Sequence, residues 1–304
     1  RKLVCVGDLC DRGPDSPAVV AWFKQAHDGG HAFMVLGNHE LNALVDEPKD
    51  GSGWYFSCRA EKDGRQYAPW NILPEADKPA LNAWLAEQPL VLANQDLRIV
   101  HAAWLPESLA TLEAAVGEDL IAQYRRYDDE LVHALQTASW YGDYLREQAR
   151  HAEALENADM PPPPMPATAQ YELARSRLHP IRALTSGAEV IAPAPFYAGG
   201  RWRYTARSAW WQNYHDTSAV LIGHYWRHWY PRDADPTREN LMPPQNNAWH
   251  GAAHNVFCID YSVGARWRDR KAGIAPARSE FRLAAMRWPE RVLVFDDGEV
   301  AATV

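Results

Sequence analysis

Apolar and polar positions divide the chain into short blocks. Residues 3–6 and 32–36 are apolar runs bounded by glycine, the pattern of buried strands. Between them, residues 16–28 predict a helix. Ser16 stands as N-cap, Pro17 takes the first helical position, and Val19, Val20, Trp22 and Phe23 share one broad apolar face. Strand, helix and strand together read as a right-handed crossover unit. A second helix is expected from Asn38 towards Val45. Residues 46–78, with Gly51, Gly53 and Gly64 among charges, read as loop. A short helix over residues 79–87 turns Leu81, Trp84 and Leu85 inward, and a strand over 97–100 follows.

Residues 105–205 break this rhythm. Residues 107–116 and 126–158 have helical character, with Leu131, Leu135 and Leu145 apolar among charges. The run Pro161-Pro162-Pro163-Pro164-Met165-Pro166 must be extended. The region reads as a mainly helical insertion or cap, at about 105–205, in a single domain spanning 1–304. Strands then return over 219–222 and 256–259. A hairpin-like pair over 281–286 and 291–295 closes the chain before Asp296-Asp297-Gly298.

The polar residues that end these runs are of particular types. Val6-Gly7-Asp8-Leu9-Cys10-Asp11-Arg12-Gly13 follows the first strand, and Leu36-Gly37-Asn38-His39-Glu40 the second. Both lie where a strand gives way to a loop, the place where open α/β sheets keep their chemistry. Asp8 offers oxygen ligands, Asn38 a neutral carbonyl, His39 a proton carrier and Arg12 a rigid fork of donors. These types suit a divalent metal site that handles phosphate. A helix beginning at Asn38 would also point its N-terminus at an anion.

GDxxDRG followed by GNHE resembles the calcineurin-like metallophosphoesterases, and within them the branch of Ser/Thr protein phosphatases and bacterial diadenosine tetraphosphatases. Arg98-Ile99-Val100-His101-Ala102 is similar to the third motif of that family, and Val220-Leu221-Ile222-Gly223-His224 to the fourth. The resemblance implies an α/β fold, a four-layer α/β/β/α sandwich of two mixed β-sheets flanked by helices. It implies two divalent ions, typically roughly 3.5–4 Å apart, clamping the attacking and leaving oxygens. Asp8 would be the bridging carboxylate, and Asn38, His101 and His224 the ligands of the second ion. His39 would stay off the metals and donate a proton to the leaving oxygen, held by Asp11 in one tautomer. Arg12 would hold the substrate phosphate. Imidazole with carboxylate and amide oxygen suits Mn, with Fe or Zn as alternatives, better than Ca. Taken singly, Asp8 is a turn aspartate, Asn38 a cap, His101 and His224 core histidines, Asp11 a turn cap and Arg12 a salt-bridge partner. Their common position after strands favours the metal reading. Asp260, after the strand at 256–259, is expected to support the ligands, and His250 and His254 read as a surface loop.

The chain also departs from the family pattern. An opening Asp-x-His occurs nowhere in it, and only seven residues precede Asp8. An N-terminally incomplete domain is the expectation, and a decayed phosphate-binding or regulatory protein the rival. The glycine after the third motif is Ala103. The second histidine of the fourth is Trp226, a change shared with the protein phosphatase branch.

Composition narrows the partners. Net charge is −8, with 31 basic against 39 acidic residues, which argues against stable nucleic-acid binding. Bound cations would still let an acidic protein take phosphate. No apolar run approaches the roughly 18 residues of a membrane span, so no membrane partner is expected. Four cysteines without a C-x-x-C pair point to a reducing, cytoplasmic setting. The expected function is metal-dependent hydrolysis of a phosphoric ester by an activated water. Dinucleoside polyphosphate cleavage is the alternative. The substrate would be a phosphorylated small molecule, a nucleotide or a phosphoprotein, chosen by residues 46–78 and 105–205.

Overall fold

A computed structural model of the chain describes residues 1–115, 117–198, 200–229, 241–242 and 246–304. In order, the elements are β1 (Leu3–Cys5), α1 (Ser16–Asp28), β2 (Ala32–Met34), α2 (Asn38–Leu44), α3 (Ala60–Tyr67), α4 (Lys78–Ala86), β3 (Val91–Ala93) and β4 (Leu97–Val100). Next come α5 (Pro106–Glu113), α6 (Leu120–Thr137), α7 (Tyr141–Glu156), α8 (Pro166–Arg177), α9 (Pro180–Ser186), β5 (Glu189–Ala198) and β6 (Arg201–Arg207). The chain closes with β7 (Ala219–Ile222), β8 (Val256–Cys258), α10 (Trp267–Ala272), β9 (Ala284–Arg287), β10 (Val292–Phe295) and β11 (Val300–Ala302). Two compact units result. One comprises the described residues of Arg1–Ala102, Trp211–Ala234 and Met242–Val304; the other is built on Ala103–Trp210. Among the described residues, no helix is long and apolar enough to cross a membrane.

In the first unit β1 and β2 pair in parallel, Leu3 opposite Ala32 and Cys5 opposite Met34. A mixed sheet runs in the order β3-β4-β7-β8, with β4, β7 and β8 parallel and β3 antiparallel at the edge. The third sheet, β11-β10-β9, is antiparallel. So one sheet is mixed, and the expected closing pair gains a third strand beyond Gly298. The apolar faces share one core: Val35, Ile99, Leu221, Phe257, Tyr261 and Leu293 are buried together, with Val4, Val6 and Met286 against them. Helix α1 packs on β2, and α2 against α4. The fold is an α/β sandwich of several sheets. β1, β2, β4 and β7 each run into a segment that carries one of the motifs, and β8 runs into Asp260.

Three local expectations are corrected. Asp15, not Ser16, caps α1: its carboxylate accepts from the Ala18 N–H at 3.0 Å. The Ser16 hydroxyl instead accepts from the Asp11 N–H at 3.1 Å, which ties the helix start to the first motif. The inward stripe of α1 is narrow. Val20 and Phe23, three apart, are buried, while Val19 and Trp22 are 43% and 60% exposed because each lies a 100° turn away. Residues 46–78 are not all loop. α3 forms there, with 3-10 turns at Ser57–Arg59 and Glu75–Asp77. Its inward residues are Asp63 and Tyr67. One of the two is charged, so no apolar period marks the helix. The Asp63 carboxylate is satisfied by the Gly53 N–H at 2.8 Å and by Arg59 at 2.6 Å.

The second unit contains α5 to α9 and a β5–β6 hairpin. The run at 126–158 is two helices, because Ala138 takes an extended conformation and Trp140 starts the next turn. Leu131 and Leu135 are buried, but Leu145 is 50% exposed. Of the expected 107–116 segment, α5 covers residues to Glu113, and Val116 lies outside the described residues. Pro166 is not extended but opens α8, where a missing N–H is harmless. Leu155, Met165, Ala169 and Tyr204 form a core with Trp202 against it.

Candidate metal centre

The loop after β1 needs unusual backbone. Gly7 has φ +96°, and a Cβ there would lie 2.5 Å from His101 Nδ1. Asp8, Asp11 and Arg12 are left-handed at φ 58°, 74° and 57°. Such conformations cost non-glycine residues of order 1 kcal/mol each and persist only when neighbours enforce them. Glu40 holds the Asp8 end, while the Asp11 N–H is bonded to the Ser16 hydroxyl and the Arg12 N–H to the Gly51 carbonyl at 3.2 Å. Glu40 Oε2 accepts from the Asp8 N–H and the Gly37 N–H, both at 2.9 Å, and its Oε1 accepts from the Leu9 N–H at 2.7 Å. One carboxylate, 1% exposed, thus staples the two motif loops together. Burial and the charge of Asp8 push its pKa up.

The donors then converge. Ligand atoms of Asp8, His101 and His224 all lie within 4.8 Å of one another. His101 is 1% exposed, and its Nδ1 is 2.7 Å from the Val6 carbonyl. A carbonyl only accepts, so Nδ1 carries the hydrogen, and in the neutral ring the lone pair is on Nε2. Nε2 has no hydrogen-bond partner of acceptable geometry and faces Asp8 Oδ2 at 3.2 Å. A lone pair and a carboxylate oxygen at that distance inside a protein repel unless a cation stands between them. The cation is a proton or a metal ion. Asn38 Oδ1, 3.1 Å from His224 Nδ1, adjoins the same cluster. Carboxylate, two imidazoles and an amide oxygen fit a divalent cation. Burial alone would push the Asp8 pKa up, but the charges of His101, His39 and His224 hold it well below the usual carboxylate range. Burial likewise lowers His101, and the Asp8 charge overrides it, leaving the pKa raised.

His39 stands beside the cluster with a different partner. Its Nδ1 is hydrogen-bonded to Asp11 Oδ2, and its Nε2 lies 3.7 Å from Asp8 Oδ2. Burial lowers the His39 pKa, but the charges of Asp8 and Asp11 push it up to about 9, with Arg12 opposing. Arg12 Nη1 is 3.4 Å from His39 Nε2, Arg12 Nε is 3.6 Å from Asp50, and the guanidinium lies 5.2 Å from the Trp226 ring. His224 and Trp226 are left-handed too, at φ 69° and 53°. Asp260 fixes their loop: its carboxylate accepts from the Trp226 N–H at 3.3 Å and the Ser262 N–H at 2.8 Å.

His250 corrects one expectation. It is 2% exposed, because its N–H bonds the Val256 carbonyl at 2.7 Å and turns the ring inward against Trp211 and Phe257. Burial and then the Arg227 charge push its pKa down to about 3. His254 is exposed, as a loop residue should be. Sequence reasoning also left Glu40 and Trp54 without roles. Glu40, three residues after Gly37, is the capping-box position and carried a signal. Trp54, whose indole N–H bonds Asp11 Oδ1 across 43 residues, carried none.

The family model described as calcineurin-like phosphoesterase matches residues 2–160. The chain belongs to that family. Among curated relatives is the "Bis(5'-nucleosyl)-tetraphosphatase, symmetrical" of Janthinobacterium sp. (strain Marseille), 33% identical over 121 residues, 40% of each chain. The protein of the same name from Ralstonia nicotianae is 30% identical over 144 residues, 46% of this chain and 47% of that one. A third, from Chromobacterium violaceum, is 38% identical over 114 residues, 38% of this chain and 37% of that one. The match thus spans less than half the length of these relatives.

Proposed function

We propose that this calcineurin-like phosphoesterase hydrolyses a phosphoric ester with water as nucleophile and no covalent intermediate. The observation that carries this reading is the half-buried cluster of Asp8, His101 and His224, with the Asp11–His39 pair at its edge. Asp8, Asn38, His101 and His224 would hold divalent metal, Mn in preference to Mg because of the imidazoles. Two bound ions would polarise the phosphoryl oxygens and make a water acidic enough to attack. Arg12 offers its fork to the non-bridging oxygens, with Trp226 and Asp50 restricting where it points. His39, with its Nδ1 side held by Asp11, would give a proton from Nε2 to the leaving oxygen. Asp11 accepts its Nδ1–H and stabilises the imidazolium until that transfer.

The names of the relatives make dinucleoside tetraphosphates the second reading of the substrate. Residues 103–210 would form the insertion that chooses among substrates, and four free thiols favour a reducing, cytoplasmic setting. The test is turnover of an aryl phosphate and of diadenosine tetraphosphate by the Mn-loaded protein. Symmetric cleavage of the latter yields ADP alone. Undiminished turnover after metal is removed, with removal verified by metal analysis, sinks the proposal.

A further inference from the structure

Asp11 holds its place through more than His39. Its side chain is 3% exposed, and each carboxylate oxygen has its own donor. Oδ2 takes His39 Nδ1, and Oδ1 takes the indole N–H of Trp54 at 2.5 Å. The Asp11 backbone N–H is occupied by the Ser16 hydroxyl. Without the indole, Oδ1 would be a buried acceptor with nothing to accept, and the carboxylate could turn about χ2 and exchange its oxygens. An indole N–H donates and cannot accept, so it fixes the carboxylate plane without competing for the proton that His39 shares with Asp11.

Trp54 is itself over-determined. It is 3% exposed, its carbonyl accepts from the Leu73 N–H at 2.8 Å, and its ring meets Tyr55 edge-on at 5.6 Å. The residue before it, Gly53, is pinned by Asp63, and a Cβ there would come within 3.2 Å of Asp63 and Trp70. A tryptophan that only filled space would not need its one polar atom aimed at the acid's partner.

We propose that Trp54 is a positioning residue for the leaving-group acid: its indole N–H locks the Asp11 carboxylate, and through it the His39 ring. The proposal rests on the role given to His39 above, and the test keeps the two apart. Trp54→Phe, Trp54→His, His39→Asn and the double variant Trp54→Phe/His39→Asn are made in the metal-loaded protein. Each is assayed on phenyl phosphate, whose leaving group needs a proton, and on 2,4-dinitrophenyl phosphate, whose leaving group does not. The ratio of the two kcat values does not depend on how much protein is folded.

Trp54→Phe should lower kcat on phenyl phosphate about tenfold, the scale of one hydrogen bond to a charged group, and leave the dinitrophenyl ester within about twofold. Trp54→His, which keeps a ring N–H, should recover part of the ratio. In the His39→Asn background Trp54→Phe should change nothing further, because the group it positions is gone. In protein carrying 15N-histidine and loaded with diamagnetic Zn, the downfield Nδ1–H resonance of His39 should move in Trp54→Phe without any assay of turnover. Equal losses on both esters, a further loss in the double variant, or an unmoved resonance each overturn the proposal. If His39→Asn itself costs equally on both esters, the acid role of His39 fails, and the resonance alone decides whether Trp54 orients the ring.

Discussion

Glu172 in the helical unit accepts from the N–H groups of Tyr204 and Thr205 and from the Thr205 hydroxyl. Glu147 there accepts from the N–H groups of Ala167 and Thr168 at the start of α8. Glu40 in the first unit does the same for Asp8, Leu9 and Gly37. The device is one device, a carboxylate gathering several backbone donors, and the backbones it gathers differ. Glu147 and Glu172 finish a helix and a strand whose residues have ordinary conformations. Among the described residues, every non-glycine residue with positive φ lies outside 103–210, and five of them belong to the motif loops that Glu40 and Asp260 restrain. Carboxylates in the helical unit support regular structure. In the first unit Glu40 and Asp260 hold irregular structure in place so that other side chains can be aimed.

The contrast can be broken most decisively at the metal. Exhaustive chelation should abolish turnover, and Mn should restore it better than Mg; survival of the activity in metal-free protein would reduce the aimed side chains to packing. Next in size, His39→Asn should lower kcat by about 10²–10⁴, the range of general acid catalysis. Metal content, measured on the same sample, should stay near that of the unaltered protein. Loss of metal with His39 would move that residue into the ligand set.

The two carboxylates offer the sharper comparison. Glu40→Gln and Glu172→Gln should each destabilise by about 2 kcal/mol in denaturant unfolding, because an anionic acceptor becomes a neutral one that also presents donors. Only Glu40→Gln should lower kcat. Equal kinetic effects from both would mean that the first unit's clamp is no different from the second's. The smallest effect near neutrality concerns His250. Its folded-state pKa, about 3, lies below the ordinary value, so the unfolded chain binds the proton more readily. Stability is therefore lost as pH falls from about 6.5 towards 3, by at most ~1.4 kcal/mol per pH unit, and is unaffected above that window. Unfolding of the unaltered protein and of His250→Phe at pH 7 and pH 5 checks this; a parallel acid loss in both would exonerate His250.

Much of this was legible because strands and loops alternate at short range. The parallel strands β4 and β7 read as strands from the sequence, and His101 and His224, just after them, meet Asp8 at the centre. What was not legible lies in contacts with no local period. α3 turns a charged residue inward, so no apolar spacing marks it. β5 carries Pro193 and Pro195 and pairs with β6 only around an irregularity between Ile191 and Phe196. Proline there reads as a break unless the strand's free edge is known. Trp54 finds Asp11 from a stretch that looked like loop, and a long-range hydrogen bond leaves no trace in spacing.

The left-handed residues of the centre set heat tolerance against chemistry. At φ 57° to 74°, Asp8, Asp11, Arg12 and His224 hold conformations that glycine adopts freely, and Trp226 does so at 53°. Glycine at these five addresses would relieve the backbone and remove the Asp8 and Asp11 carboxylates, the Arg12 guanidinium and the His224 imidazole together. His39 and Trp54 would then lose the buried acceptor they share, so relief of strain and loss of the site cannot be separated.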